Sequence, residues 1–545
     1  MSDVQVKNNT FNRFKGTFYT ILLGNTRQKK SFIASNNQVA NFRSSGFFSS
    51  AYTFIYSATF SNNLFADLDL TLHLIFTDRV SIFGNFTILE NMFQNITLNP
   101  SDLVSSIIEI DISQVTSNGS YLAPGKLTGY VWVSYNNFTD LSISKDHSYL
   151  ARRQNVVARF AASDSIVVIS NTTIQNSPQL FGGHYFSIYC PRAYIGYSTV
   201  NNISLDYKYG VFLIVASNFV VEYSSFSNIT ANEFVQGALF SVTPTESYTD
   251  YMTVYMTSSN FSSIAGYTGS IFWLLNGKLD FNGFNNTFEN ISAVWDAGFY
   301  IENTEIKSFK LTNIILFPHT TIGAAFFQAQ ECNGSLSFES FTTILQSRNQ
   351  NSLFKFVQSD RLTANFSTIT ASSPSYSSTV TYINTTNQGV SPTTTRRRLD
   401  QSISTWEQGY LDVATFNMLG FIQADSGTFN IQQLLFSDVN LFRNPLISVK
   451  QAPDSRIDGA QLNVVNSTFQ NIVYGASPND LGPLSRVGSI IQISIPSTTE
   501  KGVSFALNNC TFSEIFGNNS GTISVLDSSK TTLSTVKITN SNFTN

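Results

Sequence analysis

A two-part signal recurs along the chain at a near-constant step, and that step limits what the chain can fold into. One copy reads Asn285-Asn286-Thr287-Phe288-Glu289-Asn290-Ile291, followed by Trp295-Asp296-Ala297-Gly298-Phe299-Tyr300-Ile301. The first part is a Phe-x-Asn-Ile flanked by Asn, Ser or Thr; the second is a Gly opening a short apolar run. Taking the aromatic or aliphatic anchor as the mark, copies fall at Ile174, Val200, Phe226, Phe261, Phe288, Ile314, Phe341 and Phe366. The successive steps are 26, 26, 35, 27, 26, 27 and 25 residues. The step of 35 reads as one unit carrying an inserted loop at Thr243-Pro244-Thr245-Glu246-Ser247. Outside this block the marks loosen, to Phe11, Phe93 and Phe138 before it and Phe436, Phe469, Phe512 and Phe543 after it. A unit this small cannot bury its own apolar face, so it must stack on its neighbours.

Three short strands joined by turns fill such a unit. In Gly237-Ala238-Leu239-Phe240-Ser241-Val242 and Gly269-Ser270-Ile271-Phe272-Trp273-Leu274-Leu275 a Gly precedes a strand-length apolar run,. No long segment repeats apolar residues at helical spacing. Within Phe-x-x-Ile the two apolar residues would face opposite ways in a straight strand. A tight corner between them turns both inward. Asn suits that corner because it tolerates the left-handed region, and it stands there as Asn95, Asn176, Asn202, Asn228, Asn290 and Asn471. Gly182, Gly210, Gly237, Gly269, Gly298, Gly323 and Gly521 follow the marks and predict a second corner free of Cβ. The pattern predicts an all-β stack of about 19 coils, a rod roughly 90 Å long at the spacing of paired strands. Residues 1–370 form one solenoid segment in this reading, 371–408 a Ser/Thr/Pro-rich loop or break, and 409–545 a continuation,.

Composition narrows the function classes. Charged residues are only 12% of the chain, well under the roughly 25% of ordinary soluble proteins. With 48 Phe and 23 Tyr it is too apolar for a disordered chain,. A net charge of −4 offers no basic field for nucleic acid,. The one dense basic run, Arg396-Arg397-Arg398, lies in the Ser/Thr/Pro-rich stretch and reads as a solvated loop. Cys190, Cys332 and Cys510 are too few and too far apart for a disulfide framework or a zinc cluster, and read as small core residues,. No apolar run reaches the length of a spanning helix, and no signal peptide opens the chain. The C-terminus stops inside a repeat motif without a cap, which points to a piece of a longer protein,.

No catalytic constellation stands out. Lys145-Asp146-His147 with Arg152-Arg153 is the densest mixed cluster, but it lies where the register is lost and reads as a solvated loop. Asp67, Asp69, Asp78, Asp111, Asp296 and Asp425 are mostly single, and Glu289 and Glu339 could share a face across coils. His73, His147, His184 and His319 show no metal-ligand spacing,. Gly182-Gly183-His184 reads as a coil corner, since no P-loop Lys-Ser/Thr follows it,. The commonest chemical signal is Asn-x-Ser/Thr, present eighteen times,. Asn95, Asn137, Asn228, Asn290, Asn365 and Asn466 are the candidate glycosylation sites,. No catalytic residue, metal ligand or cofactor is expected. Any localised function is expected where the period breaks, around 100–155, 243–252, 371–408 and 475–488.

The paired half-motifs, Phe-x-x-Asn and Gly-[Gly/Ala/Ser]-[Ala/Ile/Leu], resemble the repeats of polymorphic outer membrane proteins and of large surface proteins of ciliates. The likeness covers most of 80–370 and 410–545, although the double Gly survives only at Gly182-Gly183. It implies a right-handed parallel β-helix of the pectin-lyase-like superfamily and an extracellular or cell-surface setting. It also implies a non-catalytic scaffold or adhesin ectodomain, with a surface protein or carbohydrate as partner. Membrane contact would come only through an anchor outside this chain. The alternative is a carbohydrate-binding or carbohydrate-active β-helix, since pectin-lyase-like folds also host lyases and hydrolases.

Overall fold

The structure of the chain is a computed structural model. It describes residues 3–16, 19–24, 30–43, 46–51, 54–71, 73–78, 81–82, 84–99, 106–112, 129–143, 155–162, 165–180, 183–205, 210–231, 235–243, 250–293, 297–316, 325–344, 352–372, 420–441, 445–450, 460–474, 489–495, 502–517, 522–527 and 534–544. Every regular element among them is a strand, and every strand pairing is parallel. No helix among the described residues is long and apolar enough to cross a membrane.

One coil shows how the repeat folds. Its first strand is Lys278–Phe284, its second Thr287–Ala293 and its third Ala297–Glu302. Asn285 turns the chain between the first and second strands with φ 54°, Asn290 bends the second with φ 50°, and Asn303 leads to the next coil with φ 46°. Phe288 and Ile291, on either side of Asn290, are both fully buried. The Asn of Phe-x-Asn-Ile is therefore a left-handed corner. Asn95, Asn176, Asn202, Asn228 and Asn471 share it, with φ between 48° and 57°. Gly237 and Gly269 also have positive φ, at 72° and 62°. Gly210 and Gly298 are needed for close approach instead: a Cβ on Gly298 would lie 2.9 Å from the Phe326 carbonyl oxygen. Gly182, Gly323 and Gly521 lie outside the described residues.

Stacked coils make a right-handed parallel β-helix, the hand that parallel crossovers take. First and second strands join around their corner into one sheet of 31 strands; third strands form another of 16. Among the described residues sixteen coils thus carry a third strand, and Thr535–Thr539 with Asn542–Thr544 begins one more. This falls short of the 19 expected, because loops lengthen coils without adding rungs. The second-strand ladder runs without a gap from Phe11 through Val39 and Phe65 to Phe93, where the sequence marks had loosened. It also crosses the longest undescribed stretch, 373–419: Thr370 pairs with Leu435 and Ala371 with Phe436. The Ser/Thr/Pro-rich segment and Arg396-Arg397-Arg398 lie outside the described residues.

Three marks need correcting. Phe288 pairs with Leu316, not Ile314, and the ladder continues through Thr343 and Ala371, not Phe341 and Phe366. Ile314 and Phe341 occupy the corner that elsewhere holds a small polar residue, and Phe366 belongs to a first strand, between Phe338 and Ile431. In these coils the corner has turned apolar, so spacing alone mistakes it for the strand.

That corner carries a buried polar ladder. The Asn9 side-chain amide donates to Asn37 Oδ1 at 3.1 Å, Asn37 to Asn63 at 2.9 Å, Asn63 to Asn91 at 2.9 Å and Asn91 to Asn136 at 3.1 Å. Hydroxyls replace amides further on: the backbone amides of Thr172, Ser198 and Ser224 donate to the Oγ of Ser198, Ser224 and Ser259. Cys332 and Cys510 stand in for serine, their thiols donating to the carbonyls of Gln330 and Asn508 two residues back. Burial pushes the Cys190 and Cys332 thiols up to about 12 and raises Cys510 as well. All three cysteines are buried and free.

Candidate functional site

Outward-facing side chains on the first strands make the most distinctive exposed surface. Pairing aligns Trp132, Val168, Tyr194, Val220 and Tyr255 as consecutive rungs of one row. Trp132 and Tyr255 are 45% and 44% exposed, unusual for large aromatics unless they meet a partner. Tyr130 packs edge-on against Trp132 with ring centroids 6.0 Å apart. The corner beside this row adds Tyr135, Tyr197 and Tyr223, all exposed and all at positive φ. Tyr197 and Tyr223 stack at 5.0 Å and 14°. The Tyr194 hydroxyl donates to Glu222, and burial together with that carboxylate raises its pKa. Gly196 leaves room for the Tyr194 ring, which a Cβ there would strike.

A titratable cluster lies along the third strands, with Glu109 and Arg159 on them and His73 and Ser106 just before them. His73 Nδ1 is 2.8 Å from Ser106 Oγ and 3.3 Å from Glu109 Oε2, and Arg159 Nη1 is 3.4 Å from Glu109 Oε1. The His73 ring stacks on Phe76 at 4.6 Å. Burial, helped by Arg159, lowers the histidine pKa to about 4. Burial raises Glu109 against the pull of Arg159. Burial and then Glu109 push Tyr19 up to about 12. Ser106 and Glu109 both meet the same ring nitrogen, and Ser106 is fully buried. A nucleophile–base–acid relay needs them on opposite nitrogens, so this arrangement does not activate the serine.

A groove of about 590 Å³ lies at the second-strand bends of the first four coils, with Arg13, Lys15 and Arg43 near Asp67, Asp69 and Asn95. Asp67 and Asp69, single in sequence, thus come together with cations from neighbouring coils. Asp67 Oδ1 accepts from Asn95 at 2.7 Å. Among the described residues no three His, Cys, Asp or Glu side chains converge as a metal site would require.

The other candidates scatter. Glu339 lies on a first strand and pairs with Lys310 at 2.9 Å, whereas Glu289 lies on a second strand beside Ser262, so the two do not share a face. Asp78 and Asp111 act electrostatically on Glu109. Asp425, half-buried, has a raised pKa through burial. Lys145, Asp146, His147, Arg152, Arg153, Asp296 and His319 lie outside the described residues, as does the His184 side chain. Of the sequon asparagines, Asn95, Asn228, Asn290 and Asn466 are exposed at left-handed corners. Asn137 and Asn365 are half-buried; Asn137 Oδ1 is a buried atom with no hydrogen-bond partner, and Asn365 Oδ1 accepts from Asn430 at 2.9 Å.

Neither the aromatic row nor the His73 cluster was foreseen. Trp132, Tyr194 and Tyr255 are far apart in sequence, and only the coil register aligns them. No known family and no curated protein matches the chain by sequence. Among solved structures it is similar to one described as the PL6 family alginate lyase AlyGC, at 9% identity and a TM-score of 0.20, over 99% of this chain and 97% of that one. A likeness this distant carries no argument about activity.

Proposed function

We propose that this chain is a non-catalytic extracellular or cell-surface repeat protein, a scaffold or adhesin ectodomain that holds a rigid sheet face toward a partner. In this reading it belongs with the polymorphic outer membrane protein-like and ciliate surface repeat proteins that its half-motifs resemble. The observation that carries the reading is the row of outward-facing side chains on five successive first strands, aromatic at Trp132, Tyr194 and Tyr255, of which Trp132 and Tyr255 are exposed. A monomeric surface seldom leaves such residues in water without a binding role. The sequons fit the same setting, with glycans on Asn95, Asn228, Asn290 and Asn466, where the side chain is exposed. Nucleic acid is not a partner in this reading, and a membrane is reached only through an anchor outside this chain.

A carbohydrate-active role is the second reading, favoured by the mixed-charge groove at Arg13, Lys15 and Arg43 and by the perturbed His73–Glu109 pair,. Two measurements test the proposal. Antibody raised to the chain labels intact, unpermeabilised cells. The purified chain releases neither reducing ends nor unsaturated products from neutral and acidic polysaccharides. Turnover abolished by Glu109→Gln or Lys15→Ala would overturn it in favour of the second reading.

A further inference from the structure

Aromatic and aliphatic rungs alternate along the first-strand row: Trp132, Val168, Tyr194, Val220, Tyr255. Paired strands lie about 4.8 Å apart, so the aromatic residues recur along the backbone ladder at roughly 9.6 Å. That is about the advance of two sugar rings in an extended β-linked chain, in which every second ring presents the same face. From Trp132 to Tyr255 the row covers four coil steps, roughly 19 Å, or about four sugar rings.

The rings suit stacking rather than insertion. Tyr194 lies over the Cβ-less Gly196, held by its hydroxyl bond to Glu222, so its orientation is fixed before any ligand arrives. A fixed platform avoids the entropy of ordering side chains on binding. The intervening valines are too short to obstruct a chain lying along the row. Asn218 and Thr253, two residues before Val220 and Tyr255 on the same outward face, offer hydrogen bonds to hydroxyls.

Charge selects among glycans. The five strands Gly129–Ser134, Ser165–Ser170, Arg192–Gly196, Asn218–Glu222 and Met252–Thr257 contain one cation, Arg192, and one anion, Glu222, the latter bonded to Tyr194. A polyanion would find no cationic row here to replace its counterions, while an uncharged chain loses nothing on approach.

Resting on the scaffold reading above, we propose that Trp132, Tyr194 and Tyr255 form a binding platform for an uncharged, extended β-linked polysaccharide lying along the solenoid axis. Calorimetry with cello-, chito- and manno-hexaose, their disaccharides, amylose fragments and oligogalacturonate tests it. At least one neutral β-linked hexaose binds, its disaccharide binds much more weakly, and amylose and oligogalacturonate do not compete. Trp132→Ala and Tyr255→Ala each weaken hexaose binding about tenfold, the loss of one well-packed aromatic anchor. Val168→Ala does not. The variants keep the wild-type circular dichroism spectrum, since both side chains face outward. Absence of binding to all three neutral hexaoses would overturn the platform, as would preference for oligogalacturonate or binding indifferent to Trp132→Ala and Tyr255→Ala. The scaffold reading fails separately: cleavage of a bound hexaose refutes it while leaving the ligand class standing, and cell-surface labelling without glycan binding does the reverse.

Discussion

Removing one rung of the buried asparagine ladder, by Asn63→Ala, should open the solenoid locally. Asn63 makes four side-chain hydrogen bonds. Its amide donates to Ala34 O at 3.0 Å and to Asn91 Oδ1 at 2.9 Å. Its Oδ1 accepts from the Asn37 backbone amide at 3.0 Å and the Asn37 side chain at 2.9 Å. Some partners have alternatives: Asn37 Nδ2 also donates to Val6 O, and Asn91 Oδ1 keeps the Asn63 backbone amide. The Asn37 backbone amide and the Ala34 carbonyl lose these bonds in a corner closed to water. Each buried group left unsatisfied costs about 1–3 kcal/mol, which puts the total near 4 kcal/mol. Because each coil touches only its neighbours, the effect should stay local. Hydrogen exchange measured by mass spectrometry reads it: amides within one coil of position 63 should lose about a thousandfold in protection, while those beyond 165 stay unchanged. Asn62→Gly, at the exposed left-handed position next door, should leave protection nearly intact, since glycine accepts that φ,. A loss of less than tenfold at Asn63→Ala, or a loss spread along the whole chain, would refute the ladder as the element that locks this corner.

Other consequences follow from individual side chains. His73, lowered to about 4 by burial, should titrate far below free histidine in NMR. Its native pKa lies under the unfolded value of about 6.5. Its contribution of up to about 3 kcal/mol is therefore complete above pH 6.5 and falls away toward pH 4, as the unfolded chain takes the proton that the folded chain refuses. Glu109, raised by burial, works in the opposite sense, so the ring itself must be observed; a value at or above 6.5 would contradict the packing. Thiol reagents should label none of the three cysteines in the native chain and all three in urea. Cys332→Ser should be nearly neutral by urea unfolding and Cys332→Val should cost no more than about 1 kcal/mol, because the Gln330 carbonyl that loses the thiol keeps the Asn303 backbone amide,. Glycosidase-dependent mass shifts on protein secreted from eukaryotic cells should map to Asn95, Asn228, Asn290 and Asn466, and not to the half-buried Asn137 and Asn365.

The fold was legible in the sequence because its constraints are local and repeat. Phe288, Asn290 and Ile291 state a corner in four residues, and stacking repeats the statement. Register was less legible where chemistry and geometry part. Ile314 and Phe341 have the right polarity for a strand mark and sit one corner early, which no spacing rule detects. The ladder Asn37–Asn63–Asn91 was hidden for the opposite reason: in a chain so rich in asparagine, a buried Asn looks like an exposed one until its neighbours at about one coil's distance are known. The candidate surfaces were the least legible. Trp132, Tyr194 and Tyr255 become a row only after the coils of unequal length between them are aligned, and Tyr19, His73, Glu109 and Arg159 come from four different turns of the solenoid.

The solenoid is one continuous stack, with the strands before residue 373 paired to those after residue 419. Thr370 and Leu435, 65 positions apart, are strand partners with exposed side chains on the same face. Cysteines replacing them would lie within disulfide reach. Non-reducing mass analysis of the Thr370→Cys/Leu435→Cys protein after mild oxidation should show a rapid, nearly complete crosslink. The Thr370→Cys/Ser437→Cys protein, two residues out of register, should stay reduced. No crosslink in the first protein, or a faster one in the second, would contradict the continuous ladder.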